Sequence, residues 1–288
     1  MKGLLIGIFK LLLIVVGIAA VFIFAFRVHV LLGIGLIILT IAAMVYLTRS
    51  NIYALRGSAR FAKGEKVEAL VWFKKAYHSK PCSEKNQIGY GYLLLRSGDL
   101  VVAEQVFNQL LNTTKSRETR LQSHCNLATS LWLQGKKNEA VALLEEVYAD
   151  YKNSLVYGNL GYFKLLQGEA KESLAFNLEA YEYNSDDITI LDNVALNYYL
   201  LGQFEQANEM FEKLMRKSPK CAESYYFYGL TLKKLGKSEA AREQMNLALS
   251  KELAFVTTLT REQMEWEIQN GEESNVHEEN NRLKVEQN

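Results

Sequence analysis

Glycine recurs along the chain at an interval close to 34 residues, and this period constrains the fold more than any other feature of the sequence. A small residue stands five positions after each of these glycines, and another stands seven positions before it. Such a glycine supplies the left-handed backbone that ends one helix, and paired small residues let two helices pack closely. The period therefore predicts a row of helix–turn–helix units. The recurrent glycines are Gly64, Gly98, Gly135, Gly168, Gly202 and Gly236.

The pattern resembles that of the tetratricopeptide repeat (TPR) family. Six such repeats start at residues 50, 84, 121, 154, 188 and 222, with a three-residue insertion before Leu121. The resemblance implies an all-α fold in which residues 50–255 form an α-solenoid of about six TPR helix pairs. Repeat four departs from the pattern, because Ser173 and Asn177 stand where alanine and an aromatic residue are usual. We expect this to weaken that unit rather than the array, since neighbours support each unit.

Residues 1–49 contain four basic residues and no acidic residue, so they cannot form a soluble domain. Gly3–Phe26 is interrupted only by Lys10, and Val30–Leu47 carries no charge. Each stretch is near the roughly 20 residues that a membrane-spanning helix needs. One unbroken helix over both would be about 66 Å long, more than twice the thickness of the bilayer core. We therefore predict a transmembrane helical hairpin over residues 1–49.

Positive charge predicts the orientation of this hairpin. Seven basic residues flank its outer ends, whereas Arg27 is the basic residue of the turn. Since basic residues are retained on the cytoplasmic side, we expect a multi-pass protein of the cell membrane with the repeats and both termini in the cytoplasm. If the first segment were instead a cleaved signal peptide, the repeats would still be cytoplasmic. The flanking residues are Lys2, Lys10, Arg49, Arg56, Arg60, Lys63 and Lys66.

The sequence after the repeats has two parts. Thr260 and Gln263 have the spacing of a capping box, which predicts a helix with Met264 and Ile268 on one side. We place this capping helix within residues 256–270 and expect it to cover the last repeat. Residues 271–288 are acidic and have few apolar side chains, which is typical of a disordered tail.

The sequence contains no constellation typical of an enzyme. The four histidines are widely separated and have no metal-ligating neighbours at helical spacing. Gly236-Lys237-Ser238 resembles the end of a phosphate-binding loop, but Thr231 stands where the first glycine of that loop is required. Residues 50–255 are nearly neutral, which argues against nucleic-acid binding. We predict no catalytic, cofactor or metal site and three unpaired cysteines, Cys82, Cys125 and Cys221.

The family resemblance implies a concave groove that is lined by the first helix of each pair and binds a protein segment. Read at the corresponding positions, this groove is aromatic and nearly uncharged. Asparagine recurs at one position of three successive repeats, where its amide either binds the backbone of an extended peptide or only faces water. The predicted groove residues are Tyr92, Asn126, Trp132, Asn159, Tyr162, Asn193, Tyr199 and Tyr226.

These features favour a membrane-anchored cytosolic TPR scaffold or adaptor. It would be non-enzymatic, would need no cofactor, and would recruit a protein or peptide segment through its concave groove. Two alternatives remain open at this point. The first is a membrane assembly factor that acts by self-association, and the second is an enzyme or enzyme subunit whose site the sequence does not reveal.

Overall fold

The computed structural model describes residues 2–168 and 170–269, and within these ranges the chain forms fourteen helices. The helices are α1 Lys2–Val28, α2 Val30–Ala62, α3 Lys66–His78, α4 Glu84–Ser97, α5 Leu100–Thr113, α6 Arg117–Leu133, α7 Lys137–Asp150, α8 Ser154–Leu166, α9 Ala170–Tyr183, α10 Ile188–Leu200, α11 Phe204–Met215, α12 Ala222–Lys234, α13 Ser238–Leu249 and α14 261–269. The chain divides into two compact units, unit 1 from Met1 to Leu93 and unit 2 from Leu94 to Asn288.

In unit 1, α1 and α2 form an antiparallel pair that turns at His29. The backbone of His29 is extended, and its Nδ1 accepts a hydrogen bond from the Leu31 amide at 3.2 Å, which caps α2. The ring of Phe26 occupies the space over Gly33, where a β-carbon would lie 2.4 Å from it. The helical break therefore falls at the predicted turn.

Both helices of this pair expose large apolar side chains along their length. Within the described part of the chain, α2 is the helix that is long and apolar enough to cross a membrane. The corresponding apolar stretch of α1, Val15–Val28, is shorter. Length and composition thus identify one candidate span, whereas the prediction had two.

Helix α2 does not end where the predicted hairpin ends. It continues without a break to Ala62, and its second half is the first helix of repeat one. The buried Ser50 hydroxyl donates to the carbonyl of Ala76 at 2.9 Å, and Gly57 lies against the ring of Phe73. The boundary predicted between residues 49 and 50 therefore falls inside one continuous helix.

The glycine turns predicted from the 34-residue period are confirmed. All six recurrent glycines have φ between +72° and +88°, the left-handed region that a side chain disfavours. In the third repeat, α6 begins at Arg117 rather than at residue 121, with the Ser116 hydroxyl accepting from the Thr119 amide at 3.2 Å. The predicted insertion therefore lengthens the start of this helix.

Repeat five shows how a regular pair packs. Phe211 from α11 is fully buried and lies with Leu191, Ala195, Ala207 and Leu214 in one apolar cluster. The two alanines let the helix axes approach closely enough for the ring to fill the space between them. This cluster is formed by the small and aromatic residues that recur at fixed positions of the repeat.

Repeat four replaces that apolar cluster with a buried polar one. Ser173 and Asn177 are both fully buried. The Asn197 side-chain oxygen accepts from the Ser173 hydroxyl at 3.1 Å and from Asn177 Nδ2 at 3.0 Å. Gly161 makes room for this arrangement, since a β-carbon there would lie 2.0 Å from Asn177 Oδ1. The Ser173 hydroxyl and Asn177 Nδ2 are thus satisfied by the next repeat, whereas Asn177 Oδ1 is buried with no hydrogen-bond partner among the described residues.

The capping box before α14 is confirmed. The Thr260 amide donates to Gln263 Oε1 at 2.8 Å, and the Gln263 amide donates to Thr260 Oγ1 at 3.2 Å. Met264 is fully buried in a cluster with Ala222, Tyr225, Tyr226 and Ala248, so α14 covers the last repeat. The helix begins at residue 261, directly after the capping residue Thr260 and within the predicted segment 256–270. The predicted tail, 271–288, lies outside the described residues.

Candidate functional site

The first helices of successive pairs in unit 2 pack side by side. Helix α6 contacts α8, α8 contacts α10, and α10 contacts α12. Their side chains, together with Arg96 at the end of α4, form a continuous surface that we call the inner face. Its principal residues are Arg96, Tyr162, Asp192, Tyr199, Glu223 and Tyr226.

Three of the predicted tyrosines lie on this inner face. The Tyr162 hydroxyl donates to the backbone carbonyl of Val256 at 2.9 Å. The ring of Tyr199 lies 5.4 Å from that of Phe227, and Tyr226 is buried beside Met264. Burial raises the pKa of all three hydroxyls, that of Tyr226 to about 12, so each is a neutral hydrogen-bond donor at physiological pH.

Two other predicted residues are packed between repeats. Trp132 is 7% exposed and stacks on Phe163, with ring centroids 4.5 Å apart. Asn193 is 3% exposed, and its Nδ2 donates to the carbonyl of Gly158 at 2.8 Å. Both side chains therefore join neighbouring helices in this structure.

The remaining predicted residues have different surroundings from one another. Asn159 donates to Leu155 O of its own helix at 2.7 Å, and Asn126 is half-buried on α6. The three asparagines therefore do not form a ladder of equivalent amides. Tyr92 belongs to unit 1, where it is 38% exposed and meets the edge of the Phe61 ring at 6.4 Å.

The prediction of a nearly uncharged groove is wrong, because charged residues occupy the inner face. Glu223 is 7% exposed, and Asp192 Oδ2 accepts from the Ser224 hydroxyl at 2.7 Å. Burial raises the pKa of Asp192 to about 6, and the Glu223 carboxylate acts in the same direction. Asp192 is the fifth residue of its repeat, as Tyr226 is of the next, so the same register would have found it. Glu223 and Arg96 are the second and thirteenth residues of their repeats.

A short stretch after the last repeat lies on this surface. Residues 252–256, which we call the C-terminal strand, meet Cys221 in a parallel β-bridge at Glu252. The Ala222 amide donates to Glu252 O at 2.9 Å. The Ala254 amide lies 2.9 Å from both carboxylate oxygens of Glu223.

The other end of the C-terminal strand reaches α8 and the end of α4. Its Val256 carbonyl accepts the Tyr162 hydroxyl bond. The guanidinium of Arg96 lies 5.3 Å from the centre of the Phe255 ring and 3.8 Å from the Glu252 carboxylate. The inner face thus holds a short, irregular piece of polypeptide by both its backbone and its side chains.

A cavity of about 460 Å³ lies beside this strand, between α12 and α14. An ion pair of 3.2 Å between Lys233 and Glu267 links these two helices. The cavity is lined by Tyr226, Leu259, Glu262, Gln263, Trp266 and Glu267.

Two kinds of reactive site were considered among the described residues, a metal cluster and a nucleophilic cysteine beside a histidine. No group of three or more His, Cys, Asp or Glu side chains in residues 2–168 and 170–269 could hold a metal ion. Burial raises the pKa of the Cys125 thiol to about 12 and lowers that of His124. The thiol beside this histidine is therefore protonated, whereas a nucleophilic cysteine must be ionised.

Family models described as tetratricopeptide repeat match two parts of the chain, residues 121–156 and 195–254. The matches contain the turns at Gly135, Gly202 and Gly236. These parts of the chain are tetratricopeptide repeats. Repeats of this family are typically protein-interaction modules.

Part of the chain is similar in sequence to a curated TPR protein. The TPR repeat-containing protein YvcD of Bacillus subtilis (strain 168) is 29% identical over 113 residues, which are 39% of this chain and 23% of that protein. The chain thus spans less than a quarter of the length of this curated relative.

Two solved structures share the architecture at low sequence identity. The TPR protein TTC0263 of Thermus thermophilus has a TM-score of 0.54 and 18% identity, covering 64% of this chain and 98% of that one. PilF of Pseudomonas aeruginosa has a TM-score of 0.52 and 16% identity, covering 69% of this chain and 89% of that one. At such identities the likeness concerns the fold alone.

Proposed function

We propose that this chain is a non-enzymatic scaffold, anchored in the membrane by its N-terminal helices, that recruits a protein segment through the inner face of its TPR units. The observation that carries the proposal is that side chains of the inner face bind polypeptide backbone. The Tyr162 hydroxyl and the buried Glu223 carboxylate both bind polypeptide backbone, that of residues 252–256.

Residues of both units are proposed to contact the partner, and each unit is described by itself. In unit 1 the proposed residue is Tyr92. In unit 2, Trp132 and Asn193 are given the role of positioning helices, because they are packed between repeats. The proposed contacts in unit 2 are Asn126, Asn159, Tyr162, Tyr199 and Tyr226.

The exposed apolar side chains of α1 and α2 support the membrane anchor. Outside a bilayer, such a surface would be hydrated at a large free-energy cost. We place α1 and α2 across the membrane as a hairpin, with the repeats in the cytoplasm, because basic residues flank its outer ends. Self-association through these helices stays a prediction.

The orientation can be tested with a reporter enzyme that is active only outside the cytoplasmic membrane. Fused after residue 288, it is expected to be inactive, because the repeats are proposed to be cytoplasmic. A His29→Cys variant serves as the matched control, since a membrane-impermeant thiol reagent should label the turn in intact cells. Strong reporter activity at residue 288 would contradict the proposed orientation, and an unlabelled Cys at position 29 would contradict the hairpin.

The scaffold function can be tested by site-specific photocrosslinking in native membranes. A photoreactive amino acid at Tyr199, which is half-buried on the inner face, is expected to give a discrete protein adduct. The same amino acid at Tyr183, which is 52% exposed on the second helix α9, is the matched control and should not give that adduct. An adduct formed at Tyr183 but not at Tyr199 would show that the partner binds elsewhere.

A further inference from the structure

The C-terminal strand is held through its backbone. Its polar backbone contacts come from alternate residues, the carbonyl of Glu252, the amide of Ala254 and the carbonyl of Val256. The chain bends at Phe255 and Val256, so the segment is a short irregular stretch that follows the single bridge at Glu252. Three backbone groups of this stretch are therefore bound by residues of α8 and α12.

The buried Glu223 carboxylate explains why this site needs a hydrogen-bond donor, which residues 252–256 supply from their backbone. An ionised carboxylate out of water is costly unless donors satisfy its oxygens. The Ala254 amide donates to this carboxylate with both oxygens at 2.9 Å. The neighbouring Asp192 adds a second acidic group, so a backbone N–H is better suited to the position than a carbonyl or an anion.

Arg96 adds selectivity for side chains. Its guanidinium lies over the ring of Phe255 and close to the Glu252 carboxylate, three residues earlier. An aromatic ring attracts a cation to its face, and a carboxylate attracts it by charge. The Arg96 side chain is 18% exposed, whereas that of Glu252 is 80% exposed, so the contact with Phe255 contributes more to this selectivity than the solvent-screened ion pair does.

We propose that the inner face of unit 2 is a site for a short segment of the form acid-x-x-aromatic-aliphatic, and that residues 252–256 are the chain's own occupant of that site. A partner segment of this chemistry binds by displacing them. This inference rests on the proposed function and defines the chemistry of its partner. The partner competes with residues 252–256, which are covalently linked to α13 and so are present at a high effective concentration. The apparent affinity for the partner therefore depends on how often the strand leaves the site.

The test uses the full chain in detergent and a fluorescent synthetic peptide with the sequence of residues 250–258, Ser-Lys-Glu-Leu-Ala-Phe-Val-Thr-Thr. Ala254→Pro removes the N–H that Glu223 binds and should release the strand. Thr258→Pro places the same restriction at an exposed position and is the matched control. Fluorescence anisotropy should show the peptide binding Ala254→Pro about tenfold more tightly than the wild type or the control, the size expected for one hydrogen bond to a charged group.

A second comparison tests which groups bind the peptide. A peptide carrying N-methylalanine in place of Ala254 lacks the critical N–H and should bind the Ala254→Pro protein about tenfold more weakly than the unmodified peptide. Adding Tyr162→Phe to Ala254→Pro should also weaken binding, since it removes the hydroxyl that the Val256 carbonyl accepts. Equal affinity for the two peptides would overturn the assignment of Glu223.

The outcomes separate this inference from the scaffold function. Equal peptide affinity for the wild type and Ala254→Pro, or no binding to Ala254→Pro, overturns the inference even if crosslinking at Tyr199 captures a partner. Displacement of the strand by the peptide supports the inference even if native membranes yield no adduct, and in that case the scaffold function fails. Cooperative thermal unfolding of both proline variants would show that each is folded, so that the affinity difference arises at the site.

Discussion

Alanine in place of Phe211 is expected to lower the free energy of unfolding of this protein by about 4 kcal/mol. The ring is fully buried between α10 and α11, where it packs with Leu191, Ala195 and Leu214. Removing the ring loses the free energy gained by its transfer out of water. It also leaves a cavity, which the two helices cannot close because short turns hold them in place. Urea titration of the full chain in detergent, read out by proteolysis of the unfolded form, measures the change.

The matched control for Phe211→Ala is Glu209→Ala on the same helix. Glu209 is exposed, and surface substitutions of this kind usually change stability by less than about 0.5 kcal/mol. The effect should spread to adjacent repeats, because each unit is stabilised by its neighbours. A loss below about 1 kcal/mol for Phe211→Ala would contradict the description of this cluster as a tightly packed core.

Gly161→Ala is expected to destabilise the protein by about 2 kcal/mol, although alanine favours a helix more than glycine does. The added β-carbon would lie 2.0 Å from Asn177 Oδ1 and 3.2 Å from Asn193 Nδ2. Asn177 cannot move away freely, because its Nδ2 donates to Asn197 in a fully buried site. The same urea titration measures the loss.

A double-mutant cycle tests whether the clash with Asn177 is the cause. Asn177→Ala alone should cost stability, because it removes the hydrogen bond to Asn197. Combined with Gly161→Ala, it removes the side chain that the new β-carbon would clash with. The double variant should therefore lose about 2 kcal/mol less stability than the sum of the losses of the two single variants. Additive losses would show that the glycine is required for another reason.

Much of the repeat architecture could be predicted from the sequence because it depends on local interactions. A left-handed turn disfavours any residue but glycine, so the spacing of Gly64, Gly98 and their successors located the turns between paired helices. The capping box at Thr260 and Gln263 is also local, since its two hydrogen bonds join residues three apart. A phosphate-binding loop could also be excluded from local sequence, because Thr231 stands where its first glycine is required.

Features that depend on the relation between distant helices could not be predicted in this way. The tyrosines of the inner face were found by their register, but whether a first-helix side chain is free or packed depends on its neighbour. Trp132 meets Phe163, and Asn193 meets Gly158, because of how successive helix pairs are rotated. The period of the sequence gives the length of a repeat and not this rotation.

By itself, the sequence determined the number of repeats, the positions of their turns and the presence of an apolar N-terminal segment, because these follow from backbone preferences and composition. Only the tertiary structure decided that residues 252–256 lie against Glu223, Tyr162 and Arg96. Tyr162 and Val256 are 94 residues apart, and their contact exists because the intervening helix pairs bring α8 and the end of the array together. Such a contact is set by the accumulated geometry of several repeats, which no single repeat encodes.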